Sequence, residues 1–249
     1  MRFFIQFSYF GKAYHGWQNQ PNAITVQEVL EDAMSRISKQ SMCLMGAGRT
    51  DTGVHAKEMY AHFDTEQLEG IPELIFRLNS LLPTDIAVQR IFEVEDEAHA
   101  RFNATSRTYE YYIMKTKNPF FTDMAHFIKK DLDVNQMNFA AEFLVGKKDF
   151  ECFSKSNTDV FTNICDLRNA LWTQENDMLI FSITADRFLR NMVRAIVGTL
   201  INVGLGKYPA DYVNTILKSK DRTMAGVSVP AKGLYLTSIV YPNTILKNG

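Results

Sequence analysis

The sequence predicts an α+β protein built of two α/β lobes, residues 1–104 and 105–249. Three observations predict it. Short β-rich runs alternate with amphipathic helical segments along the whole chain. No stretch rich in Gly, Ser or Pro interrupts the alternation as a linker would. The 249 residues, 46% of them hydrophobic, are enough to bury a substantial core in one large domain or two packed lobes. The second half repeats the style of the first. The junction is therefore placed near Arg101–Arg107, with the functional cleft expected between the lobes.

Residues 1–9 alternate as a strand does. A helix follows from Thr25, because Thr25-Val26-Gln27-Glu28 has the spacing of a capping box, and Val26, Val29, Leu30, Ala33 and Ile37 then share one face. Ser41–Met45 and Met59–Asp64 read as strands flanking a glycine-rich loop. Pro72–Leu82 reads as a second helix stopped by Pro83, and Ile86–Val94 as a strand. Beyond the junction, Arg107–Lys115 is aromatic and β-rich. Asp133 is placed to cap a helix that runs to Val145 and stops at Gly146. Ile164–Trp172 and Met178–Thr184 form a hairpin across residues 174–177. The strongest helix is Phe188–Val203, closed by Gly204, with Arg190 and Arg194 one turn apart opposite its apolar stripe and Gly198 continuing their line. Pro209 opens another helix, and Gly233–Tyr241 is the last strand.

Composition excludes little by itself. The 27 Lys and Arg nearly balance 28 Asp and Glu. Their distribution says more: Arg187–Lys232 holds eight basic and two acidic residues, whereas Asp85–Glu97 leans acidic. A locally basic surface on a neutral protein can bind phosphates, since charges are screened beyond about 10 Å at ordinary salt. A solvated helix face explains the same charges. Cys43, Cys152 and Cys165 form neither a metal-ligand pattern nor a disulfide framework, which suits a reducing cytoplasm and core packing. The N-terminal apolar run is too short for a signal peptide, and Arg190 and Arg194 break the longest apolar segment. A soluble, cytoplasmic protein is expected.

The loop Gly46–Ala56 carries the chemistry. Glycines at 46, 48 and 53 let its backbone turn sharply and approach a ligand. Gly48 and Gly53 have the spacing of a phosphate-binding P-loop, but Val54-His55 stands where that loop needs Lys and Ser or Thr. Asp51-Thr52-Gly53 spells the tripeptide of aspartic proteases, whose mechanism needs a second carboxylate. No second copy occurs, and the neighbouring Arg49 opposes proton sharing. An Asx-type turn accounts for the aspartate and glycines but not for Arg49 or His55.

The run Gly48-Arg49-Thr50-Asp51-x-Gly53-Val54-His55-Ala56 resembles the active-site motif of the TruA family of tRNA pseudouridine synthases. Further motifs follow in the family's order: Gly16-Trp17-Gln18-x-Gln20 with Thr25-Val26-Gln27, then Asn79-x-x-Leu82-Pro83-x-Asp85-Ile86. After them come His99-Ala100-Arg101-Phe102-Asn103-Ala104 running into Arg107-x-Tyr109-x-Tyr111, Phe188-Leu189-x-x-Met192-Val193-Arg194-x-Ile196-Val197-Gly198, and Pro230-Ala231-x-Gly233-Leu234-Tyr235-Leu236. Two departures touch none of the catalytic set. Phe10-Gly11-Lys12 stands where the family often has Asp-Gly-Thr, and Val229 precedes Pro230 where Ala is usual.

The resemblance implies a pseudouridine synthase fold of two ferredoxin-like lobes, with antiparallel sheets merging around a central cleft. It implies that Asp51 is the nucleophile, forming a covalent intermediate on the ribose or on the base and then leaving. Arg194 is implied as its ion-pair partner, Tyr109 as the ring that stacks on the target base, and Gly233 and Leu234 as the pocket floor. Arg49 is placed to enter the helix stack and hold the target nucleotide out of it. His55 and His99 are read as loop-ordering hydrogen-bonders. Arg101, Arg107, Arg187, Lys207 and Lys232 are candidate phosphate contacts. The implied substrates are uridines 38 to 40 of the tRNA anticodon stem-loop, bound by a homodimer without cofactor or metal. A catalytically silent RNA-binding protein on the same fold is the alternative, and an intact Asp51–Arg194–Tyr109 set argues against it.

Overall fold

The computed structural model describes residues 1–155 and 161–247. The chain divides into two compact units, Met1–Thr105 with Leu236–Gly249, and Ser106–Tyr235. The stretch from Leu236, read in the sequence as part of the second lobe, belongs with the first unit. Three hydrogen bonds place it: Ile239 N donates to Glu58 Oε1 at 2.8 Å, Tyr241 Oη to the Ala100 carbonyl at 2.6 Å, and Thr105 N to the Val240 carbonyl at 2.8 Å.

In chain order the first unit contains β1 (Arg2–Tyr9), α1 (Val26–Ser38), β2 (Met45–Gly46), β3 (His55–Asp64), α2 (Ile71–Leu81) and β4 (Ile86–Val94). The second contains β5 (Ser106–Met114), β6 (His126–Phe127), α3 (Val134–Glu142), β7 (Gly146–Asp149), β8 (Ile164–Glu175), β9 (Met178–Ala185), α4 (Met192–Gly204) and α5 (Tyr212–Ser219). The chain then enters β10 (Leu234–Val240) and returns to the first unit.

The first unit's strands run β4-β1-β3-β10, and β1 is antiparallel to both β3 and β4. Because side chains alternate along a strand, Phe3, Ile5, Phe7 and Tyr9 share one face of β1. On that face Phe63 joins Met34 and Ile37 of α1 around one cavity, so this side carries the helices. On the other face Phe4 packs edge-on against Tyr241 and near His62. In the second unit the order is β5-β9-β8-β7, antiparallel throughout, and the short β6 pairs with β5 in parallel. The antiparallel sheets with helices are the α+β class expected.

Several boundaries differ from the sequence reading for identifiable reasons. Of Ser41–Met45 only Met45 joins a strand, because Met42 N and Leu44 N donate to side chains of α1, Ser35 Oγ and Glu31 Oε1, instead of to a ladder. α3 has the expected cap, Asp133 accepting from Gln136 N, but ends at Glu142 because Gly146, at φ +105°, opens β7. The β8–β9 turn is only Asn176-Asp177, with Asn176 in the left-handed region. α5 begins at Tyr212, three residues after Pro209. The largest correction concerns α4. It starts at Met192, not Phe188, since Asn191 adopts φ 66° and breaks the helical path. Arg190 therefore lies outside the helix, and α4 has no solvated side. Gly198 is buried, and a Cβ there would lie 1.9 Å from the Val227 carbonyl oxygen. The sequence showed an apolar stripe; the structure has a helix buried nearly all round.

Candidate active site

In the first unit the loop between β2 and β3 is held by its backbone. Ala47 N donates to the Tyr60 carbonyl at 2.8 Å, Gly53 N to the Tyr14 carbonyl at 3.2 Å, and Val54 N to the Asp51 carbonyl at 3.1 Å. Gly53, at φ +78°, turns the chain into β3. Thr50 Oγ1 and Tyr9 Oη share a hydrogen bond of 2.8 Å. Asp51 is half-buried between exposed Arg49 and exposed Thr52, so one loop presents the carboxylate and the guanidinium that the sequence singled out.

Residues outside the loop set its position. A Cβ on Gly11 would lie 1.9 Å from the Val54 carbonyl oxygen, and one on Gly16 2.2 Å from that of Thr50. Both glycines therefore allow the β1–α1 connection to lie directly on the loop. That connection is fixed in turn by α1, whose leading Val26 N and Gln27 N donate to the Gly16 and Trp17 carbonyls. The Trp17 ring lies over Gly46, where a Cβ would come within 2.3 Å of Nε1. Tyr14 Oη donates to Asp85 Oδ1 at 2.5 Å; burial first, then Asp85, raises the phenol's pKa. His55 is fully buried, accepts from Gly11 N at 2.9 Å through Nδ1, and stacks on Phe10 at 4.2 Å. It orders a loop, as its place in the motif suggested. His99 does the same, its Nδ1 accepting from Arg101 N at 3.1 Å.

The second unit carries the other candidates. Tyr109 lies on β5 opposite Ile183 of β9, half-buried, with Phe188 edge-on at 5.2 Å and 90°. Two residues on, Tyr111 points to the same side, fully buried, and donates to the Pro230 carbonyl at 2.9 Å. Its ring covers Gly233, where a Cβ would lie 2.8 Å from Cζ, and buried Leu234 follows. Arg194 is half-buried on α4, and its Nε donates to the Val229 carbonyl at 2.7 Å. Its charge opposes the strong upward pull of burial on the Tyr111 phenol. Tyr111 and Arg194 thus both contact one segment, residues 229–233.

The phosphate candidates are scattered. Arg107 Nη1 donates to the Asp186 carbonyl, Lys232 Nζ to that of Thr122, and Lys207 Nζ to Asn202 Oδ1. Arg101 lies over the Phe102 ring at 5.7 Å, and Arg187 is half-buried. Sequence reasoning missed Gly11, Gly16, Tyr9 and Tyr14 as supports of the loop. The signal for Gly16 was there, a glycine fixed beside Trp17 a few residues before a capped helix. Among the described residues no helix is long and apolar enough to cross a membrane.

Comparison with known proteins fits this arrangement. A family model described as tRNA pseudouridine synthase matches residues 5–103 and 140–242. A protein of Parabacteroides distasonis named tRNA pseudouridine synthase A is 49% identical over 247 residues, covering 98% of this chain and 97% of its own. Proteins of the same name from Thermoanaerobacter pseudethanolicus and Francisella tularensis subsp. holarctica are 43% and 35% identical. They cover 95% and 98% of this chain, and 98% and 96% of their own.

Proposed function

Since the chain belongs to the tRNA pseudouridine synthase family, a family of isomerases, we propose that it converts uridine to pseudouridine in tRNA with Asp51 as nucleophile. The α+β architecture of each unit is consistent with the pseudouridine synthase fold. The observation that carries the reading is the unbroken run Gly48–Ala56, on a backbone clamped by Gly11 and Gly16, in a chain that matches its relatives almost end to end.

The reaction breaks the N1–C1′ glycosidic bond, turns the uracil, and joins its C5 to C1′. The C5 proton leaves to solvent and N1 takes one up. An ionised carboxylate serves as a nucleophile that later departs. Arg194 is assigned as its ion-pair partner, since a nearby cation keeps a carboxylate ionised. Tyr109 stacks on the target base, an interaction worth about 1–3 kcal/mol. Gly233 and Leu234 form the floor beneath it. Arg49, exposed beside Asp51, occupies the place the extruded nucleotide leaves in the stack. Arg101, Arg107, Arg187, Lys207 and Lys232 contact phosphates. We assign the targets to positions 38 to 40 of the anticodon stem-loop, and the active species to a cytoplasmic homodimer that needs neither cofactor nor metal.

One assay tests the core of this. Unmodified tRNA carrying tritium at uridine C5 is incubated with the protein, and release to water is measured. Wild type releases tritium and Asp51→Asn does not; undiminished release by Asp51→Asn would sink the assignment. Transcripts with single uridines at 38, 39 or 40 locate the target, and release only from uridines elsewhere would move it.

A further inference from the structure

We propose that Ala225–Pro230 is a strap that positions the Arg194 guanidinium, and that Arg222, outside every motif quoted above, is the residue that fixes the strap. The inference rests on the role assigned to Arg194 in the reaction. α4 alone does not orient a side chain with as many rotatable bonds as arginine. The strap attaches to it twice: Arg194 Nε donates to the Val229 carbonyl at 2.7 Å, and the Arg194 carbonyl accepts from Val229 N at 3.2 Å. With Nε held by the Val229 carbonyl, the plane of the guanidinium is fixed by the strap.

The strap's own position comes from contact with α4 and from Arg222. A Cβ on Gly198 would meet the Val227 carbonyl oxygen at 1.9 Å, and one on Gly226 would meet Gly198 C at 2.5 Å, so the two backbones touch. Thr199 Oγ1 accepts from Gly226 N at 2.8 Å while donating to the Ala195 carbonyl at 2.9 Å. Arg222 then spans the strap, Nη1 donating to the Gly226 carbonyl at 3.1 Å and Nη2 to Ser228 Oγ at 3.0 Å. Asn191 Nδ2 donates to the same Ser228 Oγ at 2.6 Å. Val227, in the middle, is 86% exposed, so burial of its outer side does not hold the strap down. Hydrogen bonds do, and a planar arginine fork reaches two acceptors that a lysine ammonium cannot.

Arg222 is therefore a positioning residue, and its effect must pass through Arg194. Single-turnover tritium release separates this from a merely structural role. Arg222→Ala is expected to slow the step about tenfold with KM within twofold of wild type. Arg222→Lys recovers less than half of the loss. In an Arg194→Ala background Arg222→Ala adds nothing, since its target is gone. An equal loss in both backgrounds, or no loss in wild type, overturns the strap proposal while leaving the role of Arg194 intact. A wild-type rate for Arg194→Ala alone overturns that underlying role instead. Where circular dichroism shows Arg222→Ala unfolded, Ser228→Ala removes one of the two Arg222 anchors, leaving that to the Gly226 carbonyl, and carries the same comparison.

Discussion

Replacing Gly16 by alanine puts a Cβ 2.2 Å from the Thr50 carbonyl oxygen, where ordinary contact begins near 3.4 Å. The neighbour is backbone, so no flexible side chain can swing aside, and the two chains must separate by about 1.2 Å. Gly16 also holds φ +84°, a conformation that costs an L-residue about 1–2 kcal/mol. That cost lowers Tm by roughly 2–4 °C per kcal/mol in a protein of this size. The displacement falls on Thr50, the residue before Asp51. A misplacement of about 1 Å at a reacting group can cost roughly 10²-fold in rate. Gly16→Ala is therefore expected to stay folded, lose a few degrees in Tm, and lose roughly 10²-fold in single-turnover tritium release. Gly48→Ala, in the loop itself, is the control: nothing lies within 4 Å of its would-be Cβ. It should change stability by under about 0.5 kcal/mol. A Gly16→Ala protein with wild-type rate and Tm would show that the β1–α1 connection does not set the loop, and the argument would fail.

Burial, followed by the charges of His99 and Arg2, pushes the pKa of His62 down to about 4 from 6.5, and its Nδ1 accepts from Ala100 N. The folded state therefore resists a proton that the unfolded chain takes up. Stability is full above pH 6.5 and declines between 6.5 and about 4, by roughly 2 kcal/mol after allowance for partial solvation. Urea midpoints across that range check it, and an imidazole NMR signal for His62 that titrates near 6.5 would contradict it. Tyr111→Phe deletes the donor to the Pro230 carbonyl while keeping the ring on Gly233, and should cost about 0.5–1.5 kcal/mol in denaturant unfolding. An unchanged midpoint would mean water replaces the hydroxyl without loss.

Much of the fold was legible because local signals agreed with tertiary demand. Ile86–Val94 forms as read, and Thr25 and Asp133 cap the helices they precede. Legibility ended where backbone met backbone. Nothing in the spacing of Phe188–Val203 announces that Asn191 turns left-handed, or that a strap from residues 225–230 lies on Gly198. An arginine pair on a regular helix looks like a solvated face, and only the coordinates separate Arg190, outside the helix, from Arg194, anchored to Val229. The loop around Asp51 was readable from its residues. Its supports were less so: Gly11 and Tyr14 act through close approach and a carbonyl, which residue type does not encode, while Gly16 left a signal in its place beside Trp17 before a capped helix.

The return of residues 236–247 to the first unit bears on how the protein is made. The bond from Ile239 to Glu58 joins residues 181 apart, and that from Tyr241 to Ala100 residues 141 apart. Residues 106–235, contiguous in the chain, are all synthesised before residues 236–247 can complete the first unit. The unit that holds Asp51 thus begins synthesis first and is completed last, waiting on the ribosome with β3 still lacking β10 as a partner. Slow or interrupted synthesis late in the message would leave the loop around Asp51 on an unfinished sheet, with an unpaired strand edge available for aggregation.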